Sequence, residues 1–337
     1  MTLYENYSLK ELNTFGLDVK ARWYVEVNST EDLVLILNDV KIKNEKKLIL
    51  GGGSNILFTG DFHGVVIRNK IEKIEKVSED DDYVFITAGA GLNWHTFVLY
   101  TVEHKYQGLE NLSLIPGCVG AAPIQNIGAY GNEIRNTFQL LHALNFEDGE
   151  VHLFDSETCR FGYRDSIFKH EGKNKYCILD VTFRLNKRGK LNTSYGAIEE
   201  QLKRMNVSEP NLSDVSNAVI AIRKSKLPDP QVIGNAGSFF KNPEISVVLF
   251  DKLVKEFPGL VGYPSGGNVK LASGWLIEQC GWKGKRIGNV GMHEKQALVL
   301  VNYGGATGEE LLSHAEKVKE SVFGMFGVEL EMEVNII

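Results

Sequence analysis

The stretch LIPGCVGAAPIQNIGAYG, residues 114–131, carries no charged side chain. A connection of this length normally runs over the surface and is polar. Here Ile115, Val119, Ile124 and Ile127 are interleaved with glycines that leave backbone amides bare. Two readings stay open. One is a buried Ω-loop that packs only on itself. The other is a wall for a flat heteroaromatic ring, which needs apolar contact on its faces and hydrogen bonds at its edges.

Glycine is abundant in the whole chain, with 34 residues, many of them clustered. GGGSNI (51–56) follows an apolar run, as a dinucleotide motif should, but G-x-G-x-x-G needs glycine where Ile56 stands. GAGLNW (89–94) fails in the same way at Trp94. Neither matches G-x-x-x-x-G-K-[ST], so a Rossmann NAD site and a P-loop are both disfavoured. What remains is a nest of backbone N–H groups able to hold a pyrophosphate, or else a plain tight turn.

Composition bounds the rest. The 337 residues suffice for two or three domains. A net charge of −6 offers no basic field for nucleic acid. Cys118, Cys159, Cys177 and Cys280 form no C-x-x-C pair, and HEKQA at His293 misses the H-E-x-x-H pattern at Ala297, so no metal site is expected. The opening MTLYENYSLKEL shows no signal peptide, and no apolar run is long enough to span a membrane. Reduced thiols and a cytoplasmic location are the simplest expectation.

Periodicity predicts an α+β chain. Strands are expected at 21–27, at KKLIL (46–50) running into the glycines, and at 64–69, 83–91, 175–185 and 297–303, with a hairpin over 139–154 turning at Asp148-Gly149. Ser29 and Asp32 form an S-x-x-D cap before a short helix. Further helices are expected at 93–104, around SYGAIEEQL, and at 213–226, 246–256 and 270–280. A long helix follows, with Leu311, Ala315, Val318, Val322 and Met325 on one stripe. The closing ELEMEVNII alternates, with Leu330, Met332, Val334 and Ile336 facing one way and Glu329, Glu331, Glu333 and Asn335 the other. KLPDP (226–230) marks the start of a third unit.

In GNAGSFFKNP (234–243), Ser238 stands between Gly237 and two phenylalanines. Glycine and serine suit a turn. The alternative is a proton donor held where water is scarce. Lys241 and Asn242 then either polarise the site or hold substrate.

LGGGSNIL, GLENLSLIPGCVGAAPIQNIGAYG, FGYRDSIFK, KLPDP and GNAGSFFKNP, in this order, resemble the UDP-N-acetylenolpyruvoylglucosamine reductase (MurB) family of bacterial peptidoglycan synthesis. The resemblance runs from NTFGLDV to LEMEV. It implies a two-part FAD-binding module of the vanillyl-alcohol-oxidase (PCMH) type plus a C-terminal α/β substrate domain. The parts would be 1–70, 71–225 and 226–328, with 329–337 returning to the first. It implies non-covalent FAD, with NADPH as co-substrate and UDP-GlcNAc-enolpyruvate as substrate, and no obligate protein partner. Hydride would pass from NADPH to FAD and on to the enolpyruvyl C3, and an acid would protonate C2.

Site residues carry over by motif. The catalytic arginine matches Arg164, whose fork suits a carboxylate as enolate charge develops. Its other reading is an ion pair with Asp165. The proton donor matches Ser238 and the catalytic glutamate Glu333, which on pattern alone is one of three glutamates on a polar face. Flavin contacts would come from Gly51, Gly52, Gly53, Ser54 and Asn55, from Ile115, Pro116, Gly117, Gly120, Ala121, Gln125, Asn126, Gly128, Ala129 and Tyr130, and from Arg223. Substrate contacts would come from Tyr195, Lys226, Asn242, Tyr263, Lys283 and Gln296, with Tyr195 on a closing loop as in the longer family form. Asn335 departs from the arginine that members often carry there. Two rival functions remain: an oxidase on the same FAD module, which would reoxidise quickly in air, and a nucleotide-sugar binder without turnover, which would be colourless.

Overall fold

A computed structural model describes all residues, 1–337. The chain is α+β, and its contacts divide it into two units: Met1–Tyr7 with Ala21–Gly52 and Phe62–Ser225, and Ser8–Lys20 with Gly53–Asp61 and Lys226–Ile337.

The first unit holds two sheets. In one, strand Phe62–Asn69 lies between Lys20–Val27 and Lys47–Leu50, parallel to both, and Tyr4–Ser8 closes the far edge. Helix α1 (Thr30–Leu37) carries the chain from Lys20–Val27 to Lys47–Leu50, the two strands that flank Phe62–Asn69 in parallel. The Ser29 hydroxyl accepts the Asp32 N–H at 3.0 Å and the Asp32 carboxylate accepts the Asn28 N–H, so the predicted cap forms. Leu33 and Ile36 of α1 pack on Val25, Val27, Val65 and Ile67.

The other sheet runs Val151–Asp155, Phe138–Asn145, Tyr176–Asn186, Tyr83–Gly89, Ile74–Glu79, antiparallel throughout. The hairpin turns at Gly149, whose φ of +74° suits its lack of a Cβ. Helix α2 (Trp94–Glu103) packs Trp94, Phe97 and Val98 into the core with Leu141, Val181 and Phe183. The Trp94 indole N–H donates to the Leu112 carbonyl at 2.9 Å, satisfying a polar atom that burial would otherwise orphan. A short helix α3 (Ser156–Cys159) follows the hairpin, and α4 (Gly196–Arg204) packs on α5 (Leu212–Lys226) through Ile198, Leu202, Val215 and Val219. Strand Ile74–Glu79 was not expected. It is an edge strand exposed along nearly its whole length, so it shows no apolar alternation.

The second unit has a four-stranded sheet ordered Gly234–Ser238, Val299–Asn302, Val290–Met292, Arg286–Ile287. A three-stranded sheet places Asn268–Leu271 between Glu244–Ser246 and Gly262–Ser265. Helix α6 (Val247–Glu256) is as expected. The helix expected over 270–280 is shorter: residues to Leu271 are strand, and α7 is Ser273–Gln279. The two-sided pairing that follows the Gly266-Gly267 turn overrides the helical pattern. Helix α8 (Gly308–Phe326) opens on a Thr307–Glu310 capping box and closes at Gly327 with φ +63°. Its buried stripe ends on Phe326; Met325, expected there, is exposed.

The C-terminal segment is strand-like in alternation but only briefly regular. Leu330 and Val334 are buried, whereas Ile336 is exposed. Asn335–Ile336 pairs in parallel with Ile56–Leu57, and the Ile337 carbonyl accepts both the N–H and the hydroxyl of Thr59.

Candidate functional site

In the first unit, the charge-free loop is folded into short 3-10 turns, Val119–Ala121 and Pro123–Gln125, and a ladder of Gly128–Ala129 with Asn132–Glu133. Val119, Pro123, Asn126 and Ile127 are buried, which explains the missing charge. Its backbone is strained in places: Leu114, Asn126 and Tyr130 have φ of +58°, +42° and +50°. Left-handed non-glycine residues gather where the surroundings hold them for a purpose.

Two glycine segments meet at this loop. A Cβ on Gly52 would lie 3.0 Å from the Gly117 Cα, and one on Gly120 would lie 2.5 Å from the Ala90 Cβ. The 117–122 backbone bonds to the GAGL segment: Val119 N–H to Leu92 O and Gly120 N–H to Ala90 O, both 2.9 Å. A Cβ on Gly51 would meet the Cys118 side chain at 3.3 Å.

Arg164 is stitched onto this loop by its own neighbours. The Asn126 amide donates to Gly162 O at 2.9 Å, the Ser166 hydroxyl to Ile124 O at 2.7 Å, and the Arg164 guanidinium to Gly128 O at 2.5 Å. Arg164 itself has φ +53° and stands over the Tyr163 ring. The Asp165 carboxylate engages His170 with both oxygens, at 2.8 and 2.9 Å.

Arg223 reaches the same place from α5. Its Nε–H donates to the Leu114 carbonyl at 3.1 Å, and it bonds the Tyr130 hydroxyl. Burial lowers its pKa, with Arg164 nearby adding to that effect; burial raises that of Tyr130. The Tyr130 and Tyr195 rings meet edge to face at 5.4 Å, with Tyr195 half exposed just before α4. The first unit therefore gathers Arg164, Arg223, Tyr130 and Tyr195 around one loop. His95 was missed. Its Nδ1 accepts the Leu114 N–H at 2.9 Å, and nothing in its sequence context signals this.

In the second unit, Ser238 ends strand Gly234–Ser238 opposite Val299, after a register shift at left-handed Gly237. Phe239 and Phe240 are wholly buried. The C-terminal segment runs antiparallel beside them: Glu333 N–H donates to Phe239 O, Phe240 bridges Met332, and Lys241 N–H donates to Glu331 O. Glu333 is half buried while Glu331 is exposed and ion-paired with Lys241. The Asn55 amide donates to Glu333 O at 3.3 Å, and the Asn335 amide to Asn55 O at 3.0 Å.

Asn242 and Gln296 converge on the start of α7. The Asn242 side-chain oxygen Oδ1 accepts the Ser273 N–H, and a Cβ on Gly274 would lie 3.2 Å from Gln296 Oε1. Tyr263 is exposed on its strand, Lys226 is exposed at the end of α5, and Lys283 is paired with Glu278 at 2.8 Å. Gly53 has a structural reason of its own. Its φ is +60°, and a Cβ would lie 1.9 Å from Leu12 O.

These features suit a flavin cofactor: glycine backbone packed closely on itself where Gly51 and Gly52 meet Gly117 and Cys118, apolar contact from Ile115 and Ile124, and two guanidinium groups at the loop. Residues 21–155 match the model of an FAD binding domain, and 229–337 that of the UDP-N-acetylenolpyruvoylglucosamine reductase C-terminal domain. The chain is 52% identical to the UDP-N-acetylenolpyruvoylglucosamine reductase of Flavobacterium johnsoniae and 51% identical to that of Amoebophilus asiaticus, each over the full length of both chains. It is 48% identical to that of Pseudomonas fluorescens over 98% of this chain and 97% of the other. The solved Thermus caldophilus UDP-N-acetylenolpyruvylglucosamine reductase shares the fold, with a TM-score of 0.69 at 23% identity, covering 99% of this chain and 98% of that one.

Proposed function

The chain belongs to the UDP-N-acetylenolpyruvoylglucosamine reductase family, and from that premise we propose how its own residues divide the reaction. It is an FAD-dependent oxidoreductase of peptidoglycan precursor synthesis that reduces UDP-GlcNAc-enolpyruvate to UDP-N-acetylmuramate with NADPH. Its FAD module is of the vanillyl-alcohol-oxidase (PCMH) type. Bound FAD supplies the hydride relay between NADPH and the enolpyruvyl carbon.

Gly51–Asn55 and residues 115–130 hold the cofactor through backbone N–H groups and apolar side chains, with Arg223 beside them. Arg164 turns its guanidinium to the substrate carboxylate and stabilises charge that develops as C2 gains carbanion character. Ser238 delivers the proton to C2, and the buried Phe239 and Phe240 next to it keep water away. Glu333 acts with Ser238 at that carbon. Tyr195, Lys226, Asn242, Tyr263, Lys283 and Gln296 hold the UDP-sugar, the lysines meeting its diphosphate. The three-part division at 70 and 225, and a cytoplasmic location, belong to the same proposal. No helix is long and apolar enough to cross a membrane.

One observation carries the assignment of Arg164: three hydrogen bonds tie residues 162–166 to 124–128, so the arginine rides on the loop assigned to the flavin. The test is the absorption spectrum of purified protein followed by rapid mixing. A yellow protein bleached by NADPH and recoloured by the enol ether, but slowly by air, supports the reading. A colourless protein, or fast recolouring by oxygen alone, contradicts it.

A further inference from the structure

Leu114 opens the loop with φ +58°, a backbone that leucine adopts only at a cost. Two helices hold it there. His95, in the first turn of α2, accepts the Leu114 N–H at Nδ1, and Arg223 of α5 donates to the Leu114 carbonyl. Both backbone polar groups of the strained residue are thus satisfied by side chains. Pro116 confines Ile115 to extended backbone, so the turn at Leu114 sets the course of the chain into Gly117, which packs against Gly52.

We propose that His95 is a positioning residue for the flavin: its neutral imidazole, accepting the Leu114 N–H, fixes the left-handed turn that presents residues 115–120 to the cofactor. This rests on the reading of that loop as part of the flavin cradle. Accepting at Nδ1 requires the ring proton to sit on Nε2. A proton on Nδ1 would set two N–H groups head to head. It would also add a cation facing Arg223 and Lys224 of α5, the charged groups that, after burial, hold the His95 pKa below its usual value. Flavin affinity therefore weakens as pH falls: below the pKa of His95 in the free protein, the dissociation constant rises by up to about tenfold for each unit by which the pH drops.

The experiment measures FAD dissociation constants from pH 8 to pH 5 for the full chain, its His95→Asn and His95→Leu variants, and Gly52→Val as a control on the cradle. In His95→Asn, the amide oxygen of the new side chain would replace the Nδ1 acceptor but cannot be protonated. This variant is expected to bind close to wild type at pH 8 with a flat profile, while wild type weakens toward pH 5. His95→Leu leaves the Leu114 N–H without its acceptor and is expected to weaken binding about tenfold at every pH. If wild type and His95→Asn share one profile, the proposal fails. If His95→Leu binds like wild type while Gly52→Val does not, it fails with the cradle intact. If Gly52→Val also binds like wild type, the cradle reading itself fails and takes the proposal with it. Nitrogen-15 NMR of the imidazole decides independently, even where a variant does not fold. A proton on Nε2 is expected, and one on Nδ1 at neutral pH overturns the proposal.

Discussion

The backbone N–H of Glu333 donates to the carbonyl oxygen of Phe239 at 2.8 Å. That bond, with Lys241 N–H to Glu331 O at 2.9 Å, fixes the register of the C-terminal segment along the strand that ends at Ser238. It sets the Glu333 backbone beside the residue that follows the serine. Glu333→Gln keeps the backbone bond and removes the charge. It should slow the enolpyruvyl half-reaction by about 10²–10⁴-fold while NADPH bleaches the flavin at the wild-type rate. Equal loss in both halves would make Glu333 a structural residue.

Arg164 stands in left-handed backbone with its side chain on Gly128 O. Arg164→Lys cannot fork onto a carboxylate, so kcat/KM for the UDP-sugar should fall about 10²–10³-fold, the scale of one lost oxyanion donor. Arg164→Gly removes the side chain and relieves the backbone together, whereas Arg164→Ala keeps the strain. The glycine variant should be the more stable of the two by up to about 1 kcal/mol in urea unfolding. An alanine variant of equal or greater stability would mean the backbone there is unstrained.

Gly52 and Gly53 are adjacent but have different reasons to be glycine. Gly53→Ala drives a Cβ into the Leu12 carbonyl from a φ of +60°, so the protein should lose stability whether or not FAD is present. Gly52→Val presses on the Gly117 backbone instead, where a Cβ already sits at 3.0 Å. It should lower the FAD content of the purified protein more than the melting temperature of the apoprotein. The reverse ranking would move the cradle away from Gly52.

Much of this was legible in the sequence where one short segment decides its own structure. The Ser29 cap, the Asp148-Gly149 hairpin and the α8 stripe follow from local pattern. The strand Asn268–Leu271 did not, because pairing on both edges overrules a helical spacing. The site residues were legible only as motifs. The left-handed turns at Leu114 and Arg164 are imposed by partners distant in sequence, and the place of Glu333 is set by a strand nearly a hundred residues away. Asn335 has its amide bound to the Asn55 carbonyl, so this position brings no cation of its own.

His314 is buried under the Trp282 ring, its Nε2 without a hydrogen-bond partner. Burial pushes its pKa down to about 4. Between pH 6.5 and 4 the unfolded chain binds this proton and the folded one does not, so stability rises with pH through that window. The contribution is complete above pH 6.5, lost as pH falls toward 4, and worth about 3 kcal/mol. His314→Phe should flatten the pH dependence of urea unfolding across this window. An unchanged dependence would show that His314 titrates normally in the fold.

The central claim is that Ser238 gives the proton to C2, and stopped-flow absorbance of the holoenzyme tests it most directly. Flavin bleaching by NADPH reports the first half-reaction, and its recovery on mixing with the enolpyruvyl substrate reports the second. Ser238→Ala should bleach at the wild-type rate and recover at least about 10²-fold more slowly, and Ser238→Cys should recover part of that loss because a thiol still carries a proton. If Ser238→Ala slows bleaching and recovery alike, the serine only shapes the turn after Gly237, and the proton comes from elsewhere.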